Sequence, residues 1–312
     1  MPGVLDVAYN DAMHDKIAST VHGAFGEILQ GYTVGAHGFE HFLFTAPVEE
    51  LSCAARLRRA EGPGTQALTI SPADRTKALS AFETLSAELG FFNAGLTIDI
   101  TSNIPVAKGH ASSTADILAV ALLCIREAYP ATPAPVAHAL ALSVARRLEY
   151  GDYLLHPGIA SCAQRSQTLI AKYHTDLRWS IVGVDEGGWV RTEEFHREIP
   201  EDPGKARVYE QLFGELDAAL LANDGEAAAK IATLSSELHN DRLPKKSLGD
   251  LMAVKKEWGA LGVCVAHSGT VAGLIFSKHQ TDHDLRVAES RRALHSLGYD
   301  SDLYTLKESG RS

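Results

Sequence analysis

No stretch of this 312-residue chain is apolar for long enough to span a bilayer, and no basic-then-apolar leader opens it. Cysteine is sparse. Cys53, Cys124, Cys162 and Cys264 stand far apart, in no CxxC pair and at no metal-ligand spacing. Four buried free thiols in a reducing, cytoplasmic setting are the expectation. Positive charge is also short: 29 Lys and Arg face 39 Asp and Glu, a net charge of −10. That balance argues against a nucleic-acid partner, whose phosphates attract basic faces. It does not argue against a nucleotide, which needs only local donors. The Gly-x-x-x-x-Gly-Lys-Ser/Thr phosphate loop is missing, as are internal repeats and low-complexity tracts. What is present is ordinary for a globular chain, with 45% hydrophobic and 22% charged residues. The length suggests about two domains.

Residues 104–120 organise the rest. Leu96-Thr97-Ile98-Asp99-Ile100 alternates apolar and polar side chains and predicts a strand, which Pro105 ends. Small residues follow, Lys108-Gly109-His110-Ala111-Ser112-Ser113-Thr114, and then an apolar run at helical spacing through Ile117, Leu118, Val120, Ala121, Leu122 and Ile125. A strand, a loop of small residues and a helix N-terminus form an anion site, because the first-turn N–H groups lack intrahelical partners. The plainer reading of the same pattern is a capped helix, with Ser112 or Ser113 as N-cap and Asp116 in the first turn. Three successive hydroxyls exceed what a cap needs.

Upstream, residues 1–16 are weakly patterned, and a first strand is expected from Ile17 to His22. Gly23 to Gly31 holds Gly23, Gly26 and Gly31 around Glu27 and Gln30 and reads as a tight polar turn. Strands are expected over residues 40–48, 51–57 and 67–70, with a turn at Gly62-Pro63-Gly64-Thr65 and a helix over 74–89. A helix over residues 136–149 ends at Glu149, three residues before Asp152. Two carboxylates at a helix C-terminus oppose the macrodipole at a cost of roughly 0.3–1 kcal/mol each. They are either a solvated helix end or a metal or base site. Beyond them, strands are expected over 166–173, 179–184 and 189–192, and helices over 205–221, 224–238 and 248–261. Strands over 262–266 and 271–276 flank a second small-residue loop, His267-Ser268-Gly269-Thr270, before a helix over 280–297 and a strand near 302–306. The element order gives α+β in class, a sheet with helices on one face.

The three small-residue loops resemble, in order, those of the small-molecule kinase superfamily of galactokinase, homoserine kinase, mevalonate kinase and phosphomevalonate kinase (GHMP). That family's central motif is Pro-x-x-x-Gly-Leu-Gly-Ser-Ser-Ala. Here it reads Pro105-Val-Ala-Lys-Gly109-His110-Ala111-Ser112-Ser113-Thr114-Ala115, with His for Leu, Ala for the second Gly, and an added Thr. The words Ile-Pro-Val-Ala-Lys-Gly and Ala-Ser-Ser-Thr-Ala-Asp-Ile, at residues 104–109 and 111–117, resemble the L-threonine kinases of cobalamin biosynthesis and propanediol utilisation. So do Gly26-Glu27-Ile28-Leu29-Gln30-Gly31, Ser268-Gly269-Thr270-Val271 and Leu243-Pro244-Lys245.

The resemblance implies an N-terminal domain like the second domain of ribosomal protein S5, over residues 17–170, and a ferredoxin-like C-terminal domain over 171–312. It implies transfer of phosphate from ATP, with Mg2+, to a small alcohol, by a chain with neither membrane nor nucleic acid as partner; a homodimer is compatible. Pro105 and residues 108–114 would bind the nucleotide, Ser113 or Ser112 with Glu149 the metal, and Glu27, Gln30, Gly31, Ser268, Gly269 and Thr270 the acceptor. Lys108 and Ser112 would assist transfer, and Asp152 would orient or deprotonate the acceptor hydroxyl. His22, His110 and His267 flank the loops and are given no catalytic role. Another acceptor, such as serine, homoserine or a sugar, and a non-catalytic regulator of the same fold are the alternatives.

Overall fold

The computed structural model describes residues 18–36, 38–59, 68–90, 96–190 and 201–308. The 1–16 segment, Ile17, the Gly62-Pro63-Gly64-Thr65 turn, Ala67, Arg191 and Thr192 lie outside them. The described residues fall into two compact units interleaved along the chain. One is built from residues up to 20, 53–102 and 116–148, the other from 21–52, 103–115 and 149 onwards.

In the first unit, the later part of β2 (Gly38–Arg59) pairs antiparallel with β4 (Leu96–Ser102), from Cys53 opposite Ser102 to Arg59 opposite Leu96. The short strand β3 (Thr69–Ser71) runs parallel to β4. Helices α1 (Thr76–Leu89) and α3 (Ala134–Leu148) pack together, burying Phe82 and Leu85 on one and Ala141 and Val144 on the other. Helix α2 (Ser112–Ala128) is buried all round from Ala115 to Ile125, so it is a core helix and not an amphipathic surface one. Asp116 takes no part in a helix cap: its carboxylate is 3% exposed and lies 3.4 Å from Nε of Arg75. The plainer reading places Asp116 in the first turn; the helix starts at Ser112, its first turn holds no acid, and the buried Asp116 carboxylate has a cation beside it.

The second unit holds an antiparallel sheet in the order β10 (Ser301–Thr305), β7 (Trp179–Asp185), β9 (Val271–Ser277), β8 (Gly262–Val265), β1 (Ala18–Gly35), β2. Strand β5 (Ala160–Ala163) extends it beside β2 through Phe42 to Thr45, and β6 (Thr168–Lys172) pairs with β5. The sequence pattern missed β5. Helix α4 (Pro203–Leu221) is capped by Asp202, and α5 (Gly225–Asn240) by Asp224, whose carboxylate accepts from the N–H of Ala227. Strand β8 runs so close to α5 that a Cβ on Gly262 would lie 2.1 Å from the carbonyl oxygen of Ala229. Helices α6 (Leu248–Trp258) and α7 (His283–Ser296) bury Leu251, Val254 and Leu294 with Val263, Leu274 and Phe276 of the sheet.

The turn expected over residues 23–31 is not a turn. Those residues lie inside β1, with Phe25, Ile28 and Leu29 buried. Their glycines are there for contact rather than reversal. A Cβ on Gly31 would sit 2.5 Å from the ring of Tyr209, and one on Gly26, at φ 57°, would sit 2.9 Å from the backbone of Val265. Residues 40–48 and 51–57, expected as two strands, form the single strand β2. Trp189 and Val190 are not in a strand. The four cysteines are buried and free, and burial pushes each thiol up, that of Cys264 to about 12. Among the described residues no helix is long and apolar enough to cross a membrane.

Candidate active site

The loop before α2 has a backbone form that its small residues allow. Ala107, Gly109 and Ala111 take φ of 59°, 95° and 59°, while Lys108 and His110 between them do not enter positive φ. Such alternation turns successive N–H groups toward one side and makes an anion-binding concavity. Ala111 is where the family motif carries glycine, and it holds the left-handed conformation at a cost of roughly 1–2 kcal/mol. Ala111→Gly is therefore expected to keep the loop and to raise stability by about 0.5–1 kcal/mol, read as a higher urea midpoint at unchanged m-value.

Three anchors fix this loop. His110, 3% exposed, places Nδ1 2.9 Å from the carbonyl oxygen of Ala24, and its own carbonyl accepts from the Ala24 N–H at 3.2 Å. Its ring packs against those of Phe25 and Tyr304, which also touch each other, and burial holds its pKa below the usual range. The substitution of His for Leu thus puts a neutral, hydrogen-bonding ring into an aromatic seat. Second, the carbonyl of Lys108 accepts from Thr270 N–H at 2.9 Å. Third, Gly109 and Gly269 touch backbone to backbone: a Cβ on Gly269 would lie 2.4 Å from the Gly109 nitrogen, and one on Gly109 2.2 Å from the Ala266 Cβ. The two glycines serve loop-on-loop packing. Ser268, beside them, is half-buried, and Pro105 is exposed.

Lys108 does not present an unengaged ammonium. Its Nζ is 2.7 Å from Oδ2 of Asp185 and donates to the carbonyl of Gly188 at 2.7 Å. Burial works against the charge on Asp185, yet hydrogen bonds from Lys108, Thr270 Oγ1 and Gly187 N–H outweigh it and hold that carboxyl below its ordinary value.

Helix α2 starts at Ser112, and its first turn meets Glu149. Ser113 Oγ donates to Oε2 of Glu149 and Thr114 Oγ1 to Oε1, both at 2.7 Å. The Glu149 carboxylate therefore faces a helix N-terminus, which favours negative charge there. Ser112, 8% exposed, starts the helix without joining that pair of bonds. Gly151 lets the turn close: a Cβ on it would lie 2.7 Å from Thr114 Oγ1 and from Gln167 Nε2. Gln167 donates in turn to the Glu149 carbonyl at 3.2 Å. One carboxylate and two hydroxyls make a hard-oxygen set, the kind that holds Mg2+ when substrate phosphates and water complete the shell. Among the described residues no cluster of three or more His, Cys, Asp or Glu offers an all-protein cage. The residues thus fit a shared Mg2+ and not a closed structural metal.

Glu27 and Asp152 form a second centre. Thr45 Oγ1 lies 3.1 Å from Glu27 Oε2 and 3.1 Å from Asp152 Oδ1. A hydroxyl has one hydrogen, so these contacts are satisfied together only if a carboxyl of the pair carries a proton. Burial first, and then the Asp152 carboxyl, push Glu27 well above the ordinary range; burial also raises Asp152. Both carboxyls are thus pushed the same way, toward the protonated form, and a buried pair of this kind titrates as one unit. Gln30, assigned with Glu27 from the sequence, has other neighbours: its Oε1 lies 2.8 Å from His267 Nδ1, and its buried Nε2 has no hydrogen-bond partner among the described residues. Gly31 lies under the Tyr209 ring. Thr45 on β2, Asp185 on β7 and Lys245 were not singled out as site residues. Lys245 Nζ donates to the Gly269 carbonyl at 2.6 Å.

Residues 76–153 match the family model "GHMP kinases N terminal domain". An L-threonine kinase of Citrobacter freundii is 28% identical over 262 residues, 83% of this chain and 86% of that protein. One of Salmonella typhimurium is 24% identical over 270 residues, 82% of each. In structure the chain is similar to L. major mevalonate kinase in complex with R-mevalonate, at a TM-score of 0.70 and 15% identity, covering 95% of this chain and 97% of that one. A matched domain that contains the left-handed loop and Glu149, two relatives spanning most of the chain and a shared fold agree: residues 76–153 are similar to the GHMP kinase N-terminal domain, and the chain has the fold of that family's solved structures.

Proposed function

We propose that this chain is an ATP-dependent kinase that phosphorylates the hydroxyl of L-threonine, giving O-phospho-L-threonine for the aminopropanol linker of cobalamin. The observation that carries the chemistry is Glu149 held by Ser113 and Thr114 at the start of α2, directly after a loop of alternating left-handed residues. The acceptor is supported by the two relatives named L-threonine kinase.

Phosphoryl transfer asks the protein mainly for in-line placement and charge stabilisation. The N–H groups of residues 109–113 would hold the β- and γ-phosphates. Glu149, with Ser113 and Thr114 turned from it toward the metal, would hold Mg2+. When bound, Mg2+ neutralises charge on the β- and γ-oxygens. Asp152 would accept a hydrogen bond from the acceptor hydroxyl and take its proton as transfer proceeds. Its raised pKa brings it closer to the range where a carboxylate acts as a base. Glu27 would face the ammonium of the amino acid, giving up its proton so that the buried site stays near neutral. Ser268, Gly269 and Thr270 would close the acceptor side, and Lys108 would release Asp185 to meet phosphate oxygens.

The test is ADP release with MgATP across L-threonine, L-serine, homoserine and galactose. L-Threonine is expected to give kcat/KM at least about tenfold above each competitor, the discrimination that a methyl or one hydrogen-bonding group supplies. Preference for another alcohol would reassign the acceptor within the same fold. Binding without ADP release from any of them would make the chain a non-catalytic regulator.

A further inference from the structure

One buried cation near the loop is unused by the mechanism above. Lys245, 6% exposed, follows α5, and its N–H donates to the Asn240 side chain at 2.7 Å, which fixes where the residue starts. Ser247, two residues on, binds Oε1 of Glu186 through both N–H and Oγ, at 2.7 and 2.6 Å. Between these two anchors the Lys245 side chain places its Nζ 2.6 Å from the carbonyl oxygen of Gly269. Gly269 is the residue packed against Lys108 and Gly109. An ammonium has three donors and one is used at Gly269. Glu186 is the anion that acts on it, and that carboxylate already accepts two hydrogen bonds from Ser247. The other lysine of the loop, Lys108, is paired with Asp185.

We propose that Lys245 is a positioning residue for the nucleotide phosphates: it holds Gly269 against residues 108–109 and supplies an ammonium behind the phosphate loop that a bound polyphosphate compensates. The inference rests on the ATP reading above. It accounts for a lysine kept almost wholly out of water whose nearby anion, Glu186, is already bonded to Ser247, an arrangement that costs stability unless a further anion arrives. Burial lowers the Lys245 pKa to about 8, opposed by Glu186. The other charged or titratable groups around this segment are Asp185 and Glu186 at the end of β7, Lys108 in the loop, His267, His239 on α5, and Arg242, which burial lowers to about 10, above the range titrated below. Asp185 is held ionised, and burial lowers His239 to about 3, so neither changes charge in the alkaline range.

The experiment is calorimetric titration with MgATP alone, without acceptor, from pH 7 to 9.5. The native protein is expected to lose about tenfold in affinity across that range as Lys245 deprotonates, the effect of one nearby charge. Lys245→Met is expected to bind about tenfold more weakly at pH 7, with a flat pH profile and a melting temperature unchanged or raised. A merely structural lysine would lower the melting temperature and leave the pH profile alone. Native-like affinity or native-like pH dependence in Lys245→Met overturns the proposal. If that variant does not fold, a flat profile for the native protein overturns it equally. A native protein that binds MgATP but does not turn over L-threonine refutes the acceptor and leaves this inference standing. One that does not bind MgATP refutes both.

Discussion

Glu149→Gln is expected to lower kcat for ADP formation on the order of 10²–10³-fold, the loss seen when one preorganised electrostatic contact to a transition state is removed. The amide is nearly the same size and keeps one oxygen for the Ser113 or Thr114 hydroxyl; the other hydroxyl can accept from the new NH2. The cost in stability should therefore be about 1 kcal/mol, the scale of one exchanged hydrogen bond. A tenfold rate change corresponds to about 1.4 kcal/mol, so the expected rate loss represents roughly 3–4 kcal/mol. The two scales separate the roles. If Glu149 only ties the end of α3 to the start of α2, the melting temperature falls and turnover by the folded protein persists. If it holds Mg2+, turnover collapses in a folded protein and excess Mg2+ restores part of it. Stopped-time assays over a Mg2+ series, alongside a thermal melt, give both readings, and native turnover in Glu149→Gln would remove the metal from this position.

The parts of this site legible in the sequence were those carried by local pattern. Residues 108–114 announced themselves as small residues before an apolar helical run, and Glu149 and Asp152 as acids at a helix end. Each is marked by neighbours within a few positions. The hidden parts are those in which a residue's partner is distant in the chain. Thr45 bridges Glu27 and Asp152 from 107 residues before the latter, and nothing in the local sequence of β2 marks it. Asp185 meets Lys108 across 77 positions of sequence and Lys245 meets Gly269 across 24. Glycines misled for the same reason. Gly23, Gly26 and Gly31 read as a turn because local rules assign glycine to reversals, whereas here a tertiary contact, with Ile104 and the His110 carbonyl, the Val265 backbone or the Tyr209 ring, takes the space of a Cβ. The left-handed Ala111 shows the converse: the local pattern would prefer glycine, and the loop's three anchors impose the conformation on alanine.

Gly109→Ala should have the largest combined effect of any single methyl group in the loop. At φ 95° an L side chain is strained from the outset, at roughly 1–2 kcal/mol. The added Cβ would lie 2.2 Å from that of Ala266, whereas carbon atoms settle at about 3.5–4.0 Å. Ala266 cannot retreat cheaply: it is fully buried, and its N–H is bonded to the Val271 carbonyl at 3.0 Å across the β8–β9 connection. The loop must therefore move by more than an ångström, with overpacking adding about 1–3 kcal/mol. A total of roughly 2–5 kcal/mol corresponds to a melting temperature lower by about 5–15 °C. If this backbone positions the phosphates, as proposed, displacement of that size is expected to reduce kcat/KM for ATP about 10²-fold in the molecules that remain folded. Gly262→Ala supplies the control. Its Cβ would meet the Ala229 carbonyl at 2.1 Å, an equally severe clash, but in the contact between β8 and α5. That variant should lose comparable stability and keep its KM for ATP in the cold, where both variants are folded. If both variants keep native KM values below their melting transitions, residues 107–111 are a structural connection and the phosphates lie elsewhere.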